Sequence, residues 1–388
     1  MATKTLLVLG ASIYQEAAIL RARELGYRVL STDNVPDNPG HAHAHKSFDV
    51  DITDREGILA LARRERIDGI LAPCTDVGVP TVAYVAGKLG LAGPPLAAAE
   101  TAANKIRFRE FQRANGEPHP EFFLDAQWKP GTWVIKPEAS SGSKGVFIVR
   151  SAEELRSRLP ASLAFSTTRR VIVERCIDGH QGTCEGVLEN GRIAAAWLLD
   201  RQTAAPPHVA THGHYVPTSL EARTQAAVLE RIEAAWAKLG MRDGLFDCDF
   251  VVGDDAVYVL ELSPRLGGNS IAGLLAFAAD FDALEYIVRF ACGDAPSPPP
   301  RRAPKVAAIV LLGVDKAGRL RYDQREADFL RAEPWVARLV LDLPPGAAVE
   351  PFINGRHRVG EAILAAPERP ALERRVGELK ARLAMRAA

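Results

Sequence analysis

Residues 131–150 read GTWVIKPEASSGSKGVFIVR, and this stretch decides the fold. Trp133, Val134 and Ile135 form one run of β-branched and aromatic residues, and Val146, Phe147, Ile148 and Val149 form a second. Between them lies the small-residue loop Ser140-Ser141-Gly142-Ser143-Lys144-Gly145, with Lys136 just ahead of it. Glycines let backbone N–H groups approach phosphate oxygens, hydroxyls add donors and the two lysines add positive charge, so the stretch reads as a phosphate-handling hairpin. An ordinary hairpin tip has the same composition. A P-loop is ruled out, because that motif requires G-x-x-x-x-G-K-[ST] ahead of a helix and this loop leads into a strand.

The second informative stretch is LFDCDFVVGDDAVYVLELSPRLGGNS, residues 245–270. Its two apolar runs flank Gly253-Asp254-Asp255-Ala256 and predict a β-hairpin. Taking Asp254 to Ala256 as a three-residue turn sets Gly253 against Val257 and, further along the ladder, Asp249 against Glu261. Directly opposed side chains lie about 5 Å apart at Cβ, and two carboxylates there repel unless a cation intervenes. A small set of hard oxygen ligands suits Mg²⁺. Two solvated acids on an exposed sheet face are the plainer alternative. Ser263 shares the face of Glu261, and Arg265 follows before Leu266-Gly267-Gly268-Asn269.

Together these stretches resemble the ATP-grasp superfamily, which includes biotin carboxylase, carbamoyl phosphate synthetase and many carboxylate-amine ligases, and the resemblance covers most of the chain. It implies ATP and Mg²⁺ as cofactors. By the same resemblance Lys105 and Lys136 hold the ATP phosphates, and Ser140, Ser141, Gly142, Ser143, Lys144 and Gly145 form the loop that closes over them. The run Val171 to Ile177 matches the hinge strand, with Glu174, Arg175 and Ile177 at the adenine, while Gln181 falls at the ribose and His214 near the terminal phosphate. Asp249, Glu261 and Ser263 match the metal ligands, with Ser263-Pro264-Arg265 standing where Asn-x-Arg is usual. Arg265 and Lys136 carry the catalytic role. The implied reaction activates a carboxylate as an acyl phosphate, joins it to an amine and releases ADP and phosphate. Bicarbonate chemistry and a nucleotide-binding sensor without turnover are the alternatives the scaffold admits. Relatives imply a homodimer.

The N-terminal part supports an α/β reading. KTLLVLG, residues 4–10, predicts a buried parallel strand, followed by a helix capped by Ser12 with Ile13, Ala17 and Leu20 on one face. A second strand at Tyr27 to Leu30 makes this a Rossmann-like β-α-β opening. Gly10-Ala11-Ser12-Ile13-Tyr14-Gln15 lacks the second and third glycines of a dinucleotide fingerprint, which argues against NAD. Pro73-Cys74-Thr75-Asp76 ends a predicted strand, where open α/β sheets bind ligands, so Ser12 and Asp76 join Arg265, Gly267, Gly268 and Asn269 as substrate-site candidates. His41, His43 and His45 alternate in a Pro-Gly-rich loop and read as surface.

The predicted organisation is multidomain α/β and α+β. It comprises a Rossmann-like domain at 1–95, an ATP-grasp domain at 96–294 with a lid at about 115–175, and a small β-rich C-terminal unit at 301–388. Helices are expected at 152–159, 222–239 and 271–292. The chain has 388 residues with Lys plus Arg equal to Asp plus Glu at 48 each, so no long-range field draws in nucleic acid or an anionic membrane. Five widely spaced cysteines without a C-x-x-C pair, and no apolar run approaching about 20 residues, predict a cytoplasmic protein acting on small molecules.

Overall fold

Alternating apolar runs and capped helices build the first layer of the computed structural model, which describes residues 3–124 and 127–388. Strands β1 (Thr5–Leu9), β2 (Arg28–Thr32), β3 (Lys46–Phe48) and β4 (Gly69–Leu71) form a parallel sheet in the order β3-β2-β1-β4. Helix α1 (Ile13–Glu24) links β1 to β2, α2 (Arg55–Glu65) links β3 to β4, and α3 (Val79–Leu89) follows β4. All five residues of β1 are buried, as a strand covered on both faces requires. Ser12 caps α1 in a full capping box with Gln15. The expected apolar face of α1 is corrected: Gln15, Ala18, Ile19 and Ala22 are buried, while Ile13 and Leu20 are 40% and 37% exposed. With alanines around the helix, apolar spacing alone did not choose the side.

Helices α4 (Leu96–Ala102) and α5 (Lys105–Ala114) lead to the lid. Its strands β5 (Phe122–Phe123), β6 (Trp133–Pro137), β7 (Phe147–Val149) and β8 (Val171–Arg175) are ordered β5-β8-β6-β7 and covered by α6 (Ala152–Ala164). Trp133, Ile135, Phe147, Val149, Leu155, Val171 and Val173 fill the core between them. The helix continues through Pro160, past the expected stop at 159. Residues 125 and 126 of the expected lid range lie outside the described residues.

The largest sheet contains β9 (His180–Glu189), β10 (Arg192–Thr203), β11 (Thr211–Val216), β12 (Gly244–Val252) and β13 (Val257–Ser263). Helix α7 (Ala222–Leu239) packs Val228, Ile232 and Ala235 against it, as their 4 and 3 spacing predicted. Helices α8 (Ile271–Ala279) and α9 (Ala283–Ala291) replace the single helix expected over 271–292, because Asp280 turns left-handed at φ 53.

The C-terminal part adds β14 (Ala307–Leu312), β15 (Gly318–Arg321), α10 (Gln324–Ala332), β16 (Val336–Leu341), β17 (Ala348–Val349), β18 (Gly360–Ala365), α11 (Arg369–Leu383) and β19 (Arg386–Ala387). Strands β14, β18 and β16 extend the large sheet to the order β13-β12-β9-β10-β11-β14-β18-β16, so backbone pairing runs across the expected boundary at 294–301. The N-terminal domain is anchored to this sheet by one shared core, in which Leu6, Val8 and Ile19 meet Leu274, Ile287 and Ile309.

Candidate active site

The lid, the large sheet and the carboxyl ends of the N-terminal strands enclose a cavity of about 830 Å³. The hairpin of β12 and β13 forms its floor, and Asp249 pairs with Glu261 across it, as predicted. The route to that register differs from the expectation. The turn is Gly253 to Ala256, closed by the Gly253 N–H to the Ala256 carbonyl, which sets Val252 against Val257; a bulge between Asp249 and Phe250 then shifts the ladder by one. Each carboxylate has its own cation. Arg201 meets Asp249 Oδ2 at 2.7 Å, Thr183 donates to Oδ1 at 2.7 Å, and Lys105 Nζ lies 3.2 Å from Glu261 Oε1.

Lys105 stands at the first turn of α5, behind its cap Asn104, and also donates to the Ser140 carbonyl at 3.1 Å. It thereby links the floor to the lid loop. Burial disfavours its charge, but Glu261 and Asp76 outweigh this and hold its pKa above the ordinary lysine value. Lys136, on β6, reaches Glu174 at 2.5 Å, and Arg109 of α5 meets the same carboxylate at 2.9 Å. Burial alone would raise the Glu174 pKa, yet the two cations hold it down at about 2. The Glu174 side chain therefore anchors Lys136, while Arg175, Cys176 and Ile177, the expected hinge residues, line the cavity with Gln181.

Ser140, Ser141, Gly142, Ser143 and Lys144 line the roof. Gly145 sits at its base instead, at φ +72, where a Cβ would lie 2.9 Å from Pro137. His214 on β11 faces the cavity with neither ring nitrogen hydrogen-bonded among the described residues. Burial, reinforced by Arg201 and opposed by Asp249, lowers its pKa to about 4, so it is neutral at pH 7.

Toward the N-terminal domain, Arg265 is held between two acids. Its Nη2 lies 2.6 Å from Asp76 Oδ1, and its Nη1 lies 2.7 Å from Asp247 Oδ2. Ser263 does not join Asp249 and Glu261; its hydroxyl is buried and donates to Asp76 Oδ1 at 2.7 Å. Gly267 also leaves the cavity wall, because its N–H donates to Glu185 Oε1 at 2.6 Å, whereas Gly268 and Asn269 remain on it. Ser12 lines the wall with its hydroxyl engaged by Gln15 Oε1 at 2.7 Å. Asp33, also on the wall, accepts from the Ala11 N–H and from Asn38, and so shapes the loop.

Sequence reasoning missed Arg109, Thr183, Arg201 and Asp247. For Thr183 and Asp247 the signal lies in cross-strand register, since β9 sets Thr183 beside Asp249 and Glu185 beside Asp247, while Arg109 comes from α5 and Arg201 from β10. That pairing between strands separated by about 60 residues is not encoded in any local pattern.

Comparison with known proteins agrees with this architecture. A family model described as an ATP-grasp domain matches residues 130–273. The chain is 29% identical over 336 residues to a formate-dependent phosphoribosylglycinamide formyltransferase of Burkholderia vietnamiensis (strain G4 / LMG 22486), covering 82% of this chain and 81% of the relative. The same enzyme of Paraburkholderia xenovorans (strain LB400) is 28% identical over 335 residues, with the same coverage. Among solved structures, an L-amino acid ligase from Bacillus licheniformis superposes with a TM-score of 0.81 at 18% identity, covering 100% of this chain and 99% of the other. Phosphoribosylglycinamide synthetase from Anaerococcus prevotii superposes with a TM-score of 0.79 at 18% identity over 100% of both chains. Residues 130–273, which hold the lid loop, strand β8 and the carboxylate hairpin, thus match an ATP-grasp domain, and the chain as a whole shares its fold with an L-amino acid ligase.

Proposed function

We propose that the enzyme phosphorylates a small carboxylate, with formate as the first candidate, and transfers the acyl group to an amine. One observation carries the reading. Asp249 and Glu261 face each other on the floor of a cavity whose roof is the lid loop and whose far wall holds Asp76 and Arg265. Formate is taken from the named activity of relatives that align over 82% of the chain.

The donor set fits magnesium, since Asp249 and Glu261 offer hard carboxylate oxygens on one face and Arg201 and Lys105 neutralise them in its absence. Bound there, magnesium supplies charge neutralisation for the nucleotide phosphates. Lys105 and Lys136 supply ammonium donors to those phosphates, and the triad with Arg109 and Glu174 keeps Lys136 in place. Arg265, oriented by Asp76 and Asp247, presents a fixed positive charge to the oxyanion of the acyl-transfer step. The Asp76 hydrogen bonds run to Oδ1, and Oδ2 accepts an N–H of the incoming amine. An acyl phosphate hydrolyses in water, so the closed lid protects it until the amine attacks.

The test is ADP release with formate, acetate or bicarbonate, each with and without a panel of amines. Release that requires both formate and an amine supports the proposal. Release with bicarbonate in place of formate moves the enzyme to carboxyphosphate chemistry. ATP binding without ADP from any pair leaves the sensor reading standing.

A further inference from the structure

Asp247, which orients Arg265 from the large sheet, has a second acid beside it. Glu185 of β9 lies directly across the ladder from Asp247 of β12 and is completely buried. Its Oε1 accepts the Gly267 N–H at 2.6 Å, while its buried Oε2 has no hydrogen-bond donor beside it among the described residues. The fit is close. A Cβ on Gly267 would overlap Glu185 Oε1 and stand 3.1 Å from Asp247 Oδ1, so only glycine suits that position. The same turn is pinned from the N-terminal domain, where the Cys74 N–H donates to the Leu266 carbonyl and the Cys74 thiol to the Gly267 carbonyl, each at 3.1 Å.

Two ionised carboxylates side by side in a buried place are costly. The pair has one cation nearby, Arg265, and its charge is already shared with Asp76. A single proton removes the conflict. Burial pushes the Glu185 pKa well above the ordinary carboxyl range, and the charge of Asp247 pushes it further, against Arg265 and the Gly267 N–H. Asp247 is the member that holds Arg265 Nη1, at 2.7 Å, so the proton belongs on Glu185 and the charge on Asp247.

We propose that Glu185 is a positioning residue for Arg265 and acts as a neutral carboxylic acid, accepting the Gly267 N–H and donating its own proton to Asp247. Asp247 then presents one negative charge to Arg265, and the turn after Arg265 is fixed from β9 by Glu185 and from the N-terminal domain by Cys74. An ionised Glu185 would compete with Asp247 for the guanidinium and draw it away from the reacting oxyanion. The task of Arg265 comes from the ligase reading; the proton and the geometry around Glu185 do not depend on it.

Infrared spectra, crystal structures and turnover of wild type, Glu185→Gln and Glu185→Leu test this together. At neutral pH the difference spectrum between wild type and Glu185→Gln should contain the C=O stretch of a buried protonated carboxyl. Gln keeps an acceptor for Gly267 and an N–H for Asp247, so Arg265 should hold its place and turnover should stay within about threefold of wild type. Leu fills the space and offers neither group. The turn at Gly267 should therefore shift and carry the Arg265 guanidinium with it, and turnover should fall about thirtyfold or more while affinity for β,γ-imido ATP stays within about twofold. If wild type releases no ADP with any acid and amine, the ligase reading fails, and the spectrum and the crystal structures still decide the role of Glu185. That role is overturned if the difference spectrum lacks the band or if Arg265 keeps its position in Glu185→Leu. It is equally overturned if Glu185→Gln loses as much turnover as Glu185→Leu, or if ATP-analogue affinity falls in parallel with turnover.

Discussion

At the scale of single residues, the site is a set of charges paired in advance of substrate. Lys136 shares Glu174 with Arg109, so Lys136→Ala leaves Glu174 neutralised and removes mainly a phosphate contact. ATP affinity should fall by about tenfold, as for loss of a charge-assisted hydrogen bond, with the fold retained. Equilibrium binding of ATP checks this, and an unchanged dissociation constant would remove Lys136 from the site. His214 offers a pH signature. The unfolded chain takes up its proton near pH 6.5 and the folded protein only near 4, so stability is complete above that window and declines as pH falls through it. His214→Gln should flatten the melting temperature between pH 6.5 and 4 relative to wild type. A wild-type slope that persists in the variant would assign the acid sensitivity elsewhere.

At the scale of elements, the lid loop and the carboxylate hairpin show what local sequence conveys and what it leaves out. The β6–loop–β7 unit was legible because its strands are β-rich and its loop is small and polar. Gly142 adopts φ +69 with open space around its Cβ position, so Gly142→Val meets backbone strain and no clash. Turnover should drop by an order of magnitude or more while ATP affinity changes by less than about threefold, as steady-state kinetics and equilibrium binding would show. Equal losses in both would place the defect in nucleotide binding. The hairpin was legible as a pair of strands, and Asp249 does face Glu261. The turn and the bulge that produce this pairing were not legible, because each shifts the ladder by one residue and the two offsets cancel. The faces of α1 and the break between α8 and α9 were also hidden, since alanine-rich helices carry too little contrast to mark a buried side. Least accessible were Arg201 and Asp247, whose roles depend on β10 and β12 lying on either side of β9.

At the scale of the molecule, one sheet carries the hairpin, the hinge-proximal strand β9 and the C-terminal strands, while the N-terminal domain shares a core with it. Asp249, Glu261, Arg201 and Asp247 thereby stand on one sheet, with Lys136 on the lid strand β6 and Lys105 on α5 facing the same cavity. The Arg201 and Lys105 pairs also revise what loss of a floor carboxylate does to the metal-free protein. Lys105 is 13% and Glu261 30% exposed, so Glu261→Gln takes one compensating charge from a largely buried lysine that keeps Asp76 nearby, and should cost about 1 kcal/mol of metal-free stability. The central claim is that this floor serves phosphoryl transfer to a carboxylate. The most direct measurement is ADP release against magnesium concentration, with a small carboxylate and an amine present, for wild type and Glu261→Gln, alongside nucleotide affinity. Turnover in Glu261→Gln should fall by several orders of magnitude while nucleotide binding and melting temperature stay near wild type. Near-normal magnesium-dependent ADP release in that variant would contradict the account.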